Sequence, residues 1–179
     1  MSENDKNKEI AAPSVDETTA PSPSRRTEKE EQNLKASITE LFEERITFNG
    51  FLGFKIASLE PGSAGIKFSM RPELVGHYLY GRLHGGVISS VLDATAGLAV
   101  VCEVAEFHAH ETTLEIMSRF RYLGTVDLRV DYLRQGIGEE FFATAEVIRL
   151  GKRIAATSMQ LKNDEGSLIA TGNATYIVS

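Results

Sequence analysis

At 179 residues the chain is long enough for one domain with a sizeable core, and its 42% hydrophobic and 25% charged residues are those of an ordinary globular protein. A formal charge of −6 argues against nucleic acid or an anionic membrane surface as the main partner. The single cysteine, Cys102, excludes an intrachain disulfide framework, and with nothing basic beside it the residue reads as core packing rather than a nucleophile.

Residues 1–31 are rich in Ser, Thr, Pro, Glu and Lys and nearly free of large apolar side chains, so they cannot bury enough surface to offset ordering. This stretch is expected to be a disordered polar tail, with Arg25 and Arg26 at most a minor electrostatic contact. It lacks the apolar run of a secretory signal, and the protein is expected in the cytoplasm. The folded domain is expected over residues 32–179. It opens with Leu34, Ile38, Leu41, Phe42 and Ile46 at helical spacing, a pattern that stops at Asn49-Gly50 and Gly53.

Two strand-like runs follow, Phe54–Leu59 and Ala64–Met70, joined by a turn at Glu60-Pro61-Gly62-Ser63. A loop over residues 71–83 leads into His84-Gly85-Gly86, which reads as a tight turn opening a long helix. Residues 87–105 are apolar almost all round, so that helix is expected to be buried. It approaches the length of a membrane span, but Ser89, Ser90, Asp93 and Thr95 interrupt its hydrophobicity. Residues 106–123 form an insertion that the pattern leaves unassigned. Four strand-like runs then close the chain, Thr125–Leu133, Glu140–Leu150, Arg153–Lys162 and Leu168–Val178, read as antiparallel neighbours from their short turns. Small residues recur on them, among them Ala143, Ala145, Ala155, Ala170 and Ala174, which gives the low relief a sheet needs to curl round a helix. The order predicts an α+β fold, one antiparallel sheet wrapped around one central helix.

Asp93 is the residue that asks for an explanation. A carboxylate inside an apolar helix is costly unless it has a partner or a task. Two glycines at the start of the same helix leave backbone N–H groups open to anything docked there. Polarising N–H groups and one carboxylate together suffice for acyl hydrolysis. Ser89 and Ser90 lack a nucleophile-elbow context and read as helix packing. His108-Ala109-His110-Glu111 could present two imidazoles on one face, but no third or fourth ligand stands at a familiar spacing, so no metal is expected. No phosphate-binding glycine loop is present and no cofactor is expected.

The element order, the His84-Gly85-Gly86 turn with Asp93 in the helix, and the run Gly124 to Arg134 resemble the hotdog-fold acyl-CoA thioesterases of the phenylacetyl-CoA (PaaI-like) type. The insertion resembles that of the YigI-type branch, whose members act on medium- and long-chain acyl-CoA. The resemblance covers residues 33–179. It implies that Asp93 is the general base or the nucleophile, that the Gly85 and Gly86 N–H groups polarise the thioester carbonyl, and that the Thr125 hydroxyl helps hold the attacking water. His84 could transfer a proton directly, but its place before two glycines points to orienting the turn or the ligand. The family commonly has an asparagine six residues before this histidine; here Tyr78 stands there, next to His77, leaving either as the substrate-orienting donor. Arg134, Lys152 and Arg153 are candidate contacts for the phosphates of coenzyme A, while Asp127 and Asp131 read as solvent-facing.

Geometry adds an expectation of its own. Gly85 and Asp93 are eight residues apart, so ~12 Å separates them along one helix. Catalytic groups must lie within about 3 Å of the atoms they act on, so one helix cannot place both around one carbonyl. Two copies packed with antiparallel helices can, which predicts a homo-oligomer (a dimer or dimer of dimers) with sites at the subunit interface. Two other classes stay open at this point: a hotdog hydratase or dehydratase, and an acyl-CoA-binding regulator without catalysis.

Overall fold

The structure, a computed structural model, describes residues 24–179. Of the tail expected to be disordered over residues 1–31, residues 1–23 lie outside that range. The remainder is folded ahead of the expected boundary at residue 32. Thr27 accepts a hydrogen bond from the Glu30 N–H and starts helix α1 at Glu28–Glu40. Arg26, whose side chain is only 2% exposed, donates to the carbonyls of Ala105, His108 and Glu111 and pairs with Glu31. A tail composition therefore hid a buried arginine, because the groups that satisfy it come from about 80 residues further along.

The helix expected from Leu34 to Ile46 is longer and broken. A π-helical turn at Leu41–Arg45 follows α1, and a short helix, α2, runs from Thr47 to Leu52. Strands β1 (Lys55–Glu60) and β2 (Ser63–Ser69) form the first hairpin. The stretch read as a loop holds a small second hairpin, β3 (Val75–His77) with β4 (Arg82–Leu83). The central helix, α3, spans Gly85–Phe107. By length and hydropathy it could cross a bilayer, yet 72% of its most apolar stretch is buried inside the fold. Its buried Thr95 is satisfied internally, donating to the Val91 carbonyl at 2.6 Å. The insertion folds as a fourth packed helix, α4 (Thr113–Arg119), started by a capping box between Thr112 and Glu115 and tied to α1 through Thr113 and Glu30.

The last four strands are β5 (Gly124–Tyr132), β6 (Glu140–Leu150), β7 (Ile154–Asn163) and β8 (Leu168–Ile177). They join the first hairpin in one six-stranded antiparallel sheet ordered β1-β2-β6-β7-β8-β5. The expected neighbour pairing holds for β6, β7 and β8 but not for β5, which crosses to the far side and pairs with β8. β2 pairs instead with β6. The sheet curls around α3 and buries alternate residues against it: Phe141, Ala143 and Ala145 on β6, Ala155, Met159 and Leu161 on β7, Ala174 and Tyr176 on β8. Gly172 in β8 meets a close approach, since a methyl group there would lie 2.9 Å from the Arg129 carbonyl oxygen and 3.6 Å from Leu92. β5 is left as an edge strand lying beside α3, with Val126 and Tyr132 exposed.

Candidate active site

Asp93 sits two turns inside α3, where β5 begins and β8 ends. The register places Thr125 opposite Tyr176, and both hydroxyls reach the same carboxylate oxygen. Thr125 donates to Asp93 Oδ1 at 2.8 Å, and the Tyr176 hydroxyl lies 2.6 Å from Oδ1 and 2.7 Å from the Asp93 backbone carbonyl. Burial, reinforced by the neighbouring Asp93 carboxylate, pushes the Tyr176 phenol well above its ordinary range, so this hydroxyl stays a donor. One oxygen is thus held and the other, Oδ2, left without a donor among the described residues. Tyr176 was missed by sequence reasoning; its only signal was a buried-face aromatic opposite Thr125, legible once the register was known.

The start of α3 is built differently. His84 is the N-cap residue, and its Nδ1 accepts a hydrogen bond from the Gly86 N–H at 2.9 Å. The imidazole therefore carries its proton on Nε2 when neutral. This corrects the expectation that Gly85 and Gly86 both offer free N–H groups, because within the chain the Gly86 donor is taken. The Gly85 N–H has no acceptor among the described residues, while its carbonyl accepts from the Tyr132 hydroxyl at 3.1 Å. Gly76, also missed, lets β3 pass beside the turn: a methyl group there would lie 2.5 Å from the His84 Cα.

The remaining candidates divide between two places. His77 lies at the end of β3, its ring against Tyr78 and Tyr80 and its Nδ1 buried without a partner among the described residues. Tyr78 is 86% exposed at the hairpin tip. Arg134 and Arg82 line a cavity of about 440 Å³ with Gly85, Ile88 and Tyr132, although Arg134 also donates to the Leu168 carbonyl. Lys152 lies at the other end of α3, beside Val104 and Phe107, and Arg153 follows it in the β6–β7 turn. The three cations expected to act on one coenzyme therefore do not form one patch within a chain.

Other groups are already committed. Ser89 and Ser90 both donate to the Gly86 carbonyl, as helix packing requires. Asp131 pairs with Arg129. Cys102 is buried, and burial pushes its thiol up to about 12. His108, His110 and Glu111 bring three potential ligand atoms within 4.8 Å of one another, but Glu111 is held by Arg119 and His108, and a cation would have to displace them.

Asp93 and Gly85 face opposite ends of β5, one meeting Thr125 and the other Tyr132. The ~12 Å along α3 thus stands in the folded chain, with the exposed sheet edge running beside it.

Comparison with known proteins bears on this arrangement. The profile of the thioesterase superfamily matches residues 80–170. The medium/long-chain acyl-CoA thioesterase YigI of Escherichia coli is 42% identical over 150 residues, covering 83% of this chain and 95% of that protein. Human acyl-coenzyme A thioesterase 13 is 28% identical over 147 residues, covering 80% of this chain and 93% of the relative. Among solved structures, a protein from Shewanella oneidensis related to the thioesterase superfamily has a TM-score of 0.80 and 36% identity, covering 86% of this chain and all of that one.

Proposed function

The chain belongs to the thioesterase superfamily, and from that premise we infer how it acts: it hydrolyses medium- to long-chain fatty acyl-CoA to the free fatty acid and coenzyme A. The observation that carries the reading is the Asp93 carboxylate, clamped through Oδ1 by two hydroxyls and open at Oδ2. As a base, Oδ2 takes a proton from water as the water oxygen bonds to the thioester carbonyl carbon. The C–S bond then breaks and the proton passes to the departing thiolate. As a nucleophile, the same oxygen would form an anhydride that water then cleaves. Thr125 and Tyr176 position the carboxylate for either course, and Thr125 is close enough to help hold the water.

The negative charge that develops on the carbonyl oxygen needs donors, and the open N–H is that of Gly85, ~12 Å away on the same helix. A second copy with its α3 antiparallel brings Gly85 of one subunit to Asp93 of the other. The unpaired edge of β5, with Val126, Tyr132 and Leu133 exposed, is a surface such a pairing would cover. His84 orients the turn, His77 or Tyr78 steadies the substrate, and Arg134, beside Gly85, meets the phosphates, whereas Lys152 and Arg153 stand at the far end of α3 and take no part in that contact. The cytoplasm is the compartment that suits this substrate. Thiol release by the purified protein across acyl-CoA chain lengths tests the reading, with turnover expected. Saturable binding without turnover would leave a regulator in its place.

A further inference from the structure

The far half of α3 carries a second feature on the side that Asp93 faces. Val104 lies eleven residues beyond Asp93, about three full turns, so both side chains leave the helix in nearly the same direction. There a cavity of about 320 Å³ is walled by Val104, Phe107, Leu150 and Val178, with Arg119 and Lys152 also lining it. Strand β8 gives an independent connection: Tyr176 reaches Asp93, and Val178, two residues on, lies against the cavity. Phe107 is 73% exposed, a large apolar ring that meets the His108 ring edge-on and is otherwise mostly uncovered by the described residues. The Arg119 charge is spent on Glu111, so the wall it supplies is less polar than its residue type suggests.

We propose that this cavity is the subsite that receives the distal end of the acyl chain, and that Val104 and Phe107 set the chain length the enzyme prefers. The proposal rests on the thioesterase reading above. From Asp93 to Val104 is ~16 Å along the helix, and to Phe107 ~21 Å. An extended chain advances about 1.2 Å per bond, so about thirteen to seventeen bonds separate the carbonyl from the cavity. Acyl groups of about fourteen to eighteen carbons therefore reach it, and an eight-carbon group stops well short. Burial of the terminal methylenes among Val104, Leu150 and Val178 then favours the longer substrates.

The test compares kcat/KM for octanoyl-CoA and hexadecanoyl-CoA in the unaltered protein, Val104→Phe and Phe107→Glu. The first variant fills the cavity; the second places a charge at an exposed position where folding is little affected. Both are expected to lower kcat/KM for hexadecanoyl-CoA about tenfold or more while octanoyl-CoA stays within about twofold. An unmoved length profile in Phe107→Glu overturns the subsite. An equal loss for both substrates in that folded variant also overturns it, and would assign the cavity to the coenzyme A portion. If the unaltered protein hydrolyses neither substrate, the thioesterase reading itself fails and the subsite with it.

Discussion

The two ends of the central helix are treated in opposite ways. At the C-terminal end Arg26 donates to the Ala105 and His108 carbonyls, and Arg25 pairs with Glu106, so cations meet the negative pole and the last turn is sealed. At the N-terminal end no acidic residue occupies the first turn, the His84 cap takes only the Gly86 N–H, and the Gly85 N–H is unpaired among the described residues. Leaving the positive pole open costs some stability and keeps a place for negative charge to gather. On the proposed mechanism the difference assigns holding the fold to the sealed end and the chemistry to the open half.

If that division is right, damage near Asp93 should cost rate and leave stability intact. Asp93→Asn is expected to lower kcat by ~100-fold or more, the scale on which a general base contributes. The Thr125 and Tyr176 hydroxyls can still donate to the amide oxygen, so the thermal midpoint should hold within a few degrees. Thiol-release kinetics beside a melting curve separate the outcomes. Undiminished turnover removes Asp93 from the mechanism, and an unfolded variant makes it a structural tie instead.

The converse is expected at the sealed end. Arg26→Ala takes the arginine donor from three carbonyls, of which His108 keeps the Glu111 N–H, and should destabilise the fold by about 2–3 kcal/mol, read from the urea midpoint. Turnover per folded molecule should not change. A parallel fall in kcat at a temperature where the variant is folded would break the division between the two ends.

Much of this division was legible in the sequence, and the parts that were not share a cause. The buried helix, its His84-Gly85-Gly86 opening and Asp93 followed from local pattern, because an apolar run with one acid has few alternatives. Strand positions followed from turn residues. What escaped depends on register or on distant partners. Tyr176 becomes a site residue only once β8 is set against α3, and Thr125 joins it because β5 crosses over to pair with β8. Gly86 loses its free N–H to a side chain two residues away, in a cap geometry that spacing does not specify. Arg26 reads as tail until the carbonyls of another helix end are placed against it.

The open end makes a sharper claim when two damaged chains are mixed. Gly85→Val puts a branched side chain beside the free N–H, and its first carbon would lie 3.5 Å from the Tyr132 ring, an ordinary contact that folding tolerates. Mixed with Asp93→Asn subunits, it should yield about half heterodimers, each with one undamaged site. Activity should therefore return to up to about a quarter of the unaltered value per subunit, if the pairing is two-fold and isologous. Native mass spectrometry establishes exchange and thiol release reads the recovery. Exchange without recovery means that carboxylate and N–H serve one carbonyl within a single chain.

The smallest expected effect concerns the hydroxyl that links the carboxylate to the sheet. Tyr176 is 3% exposed, and its phenol is held protonated well above its ordinary value of 10 by burial and by Asp93. Below pH 10 the phenol is protonated in both folded and unfolded chains and contributes no pH dependence. Above pH 10 the unfolded chain releases this proton while the folded one keeps it, so unfolding is favoured by about 1.4 kcal/mol for each further pH unit until the folded value is reached. Tyr176→Phe removes that slope. It also removes a donor to Asp93, so the variant should be about 1–2 kcal/mol less stable near neutrality. Urea unfolding from pH 8 to pH 11 should show the two stabilities converging as the pH rises. Parallel curves would mean that the phenol ionises in the folded protein, and the clamp on Asp93 Oδ1 would then rest on Thr125 alone.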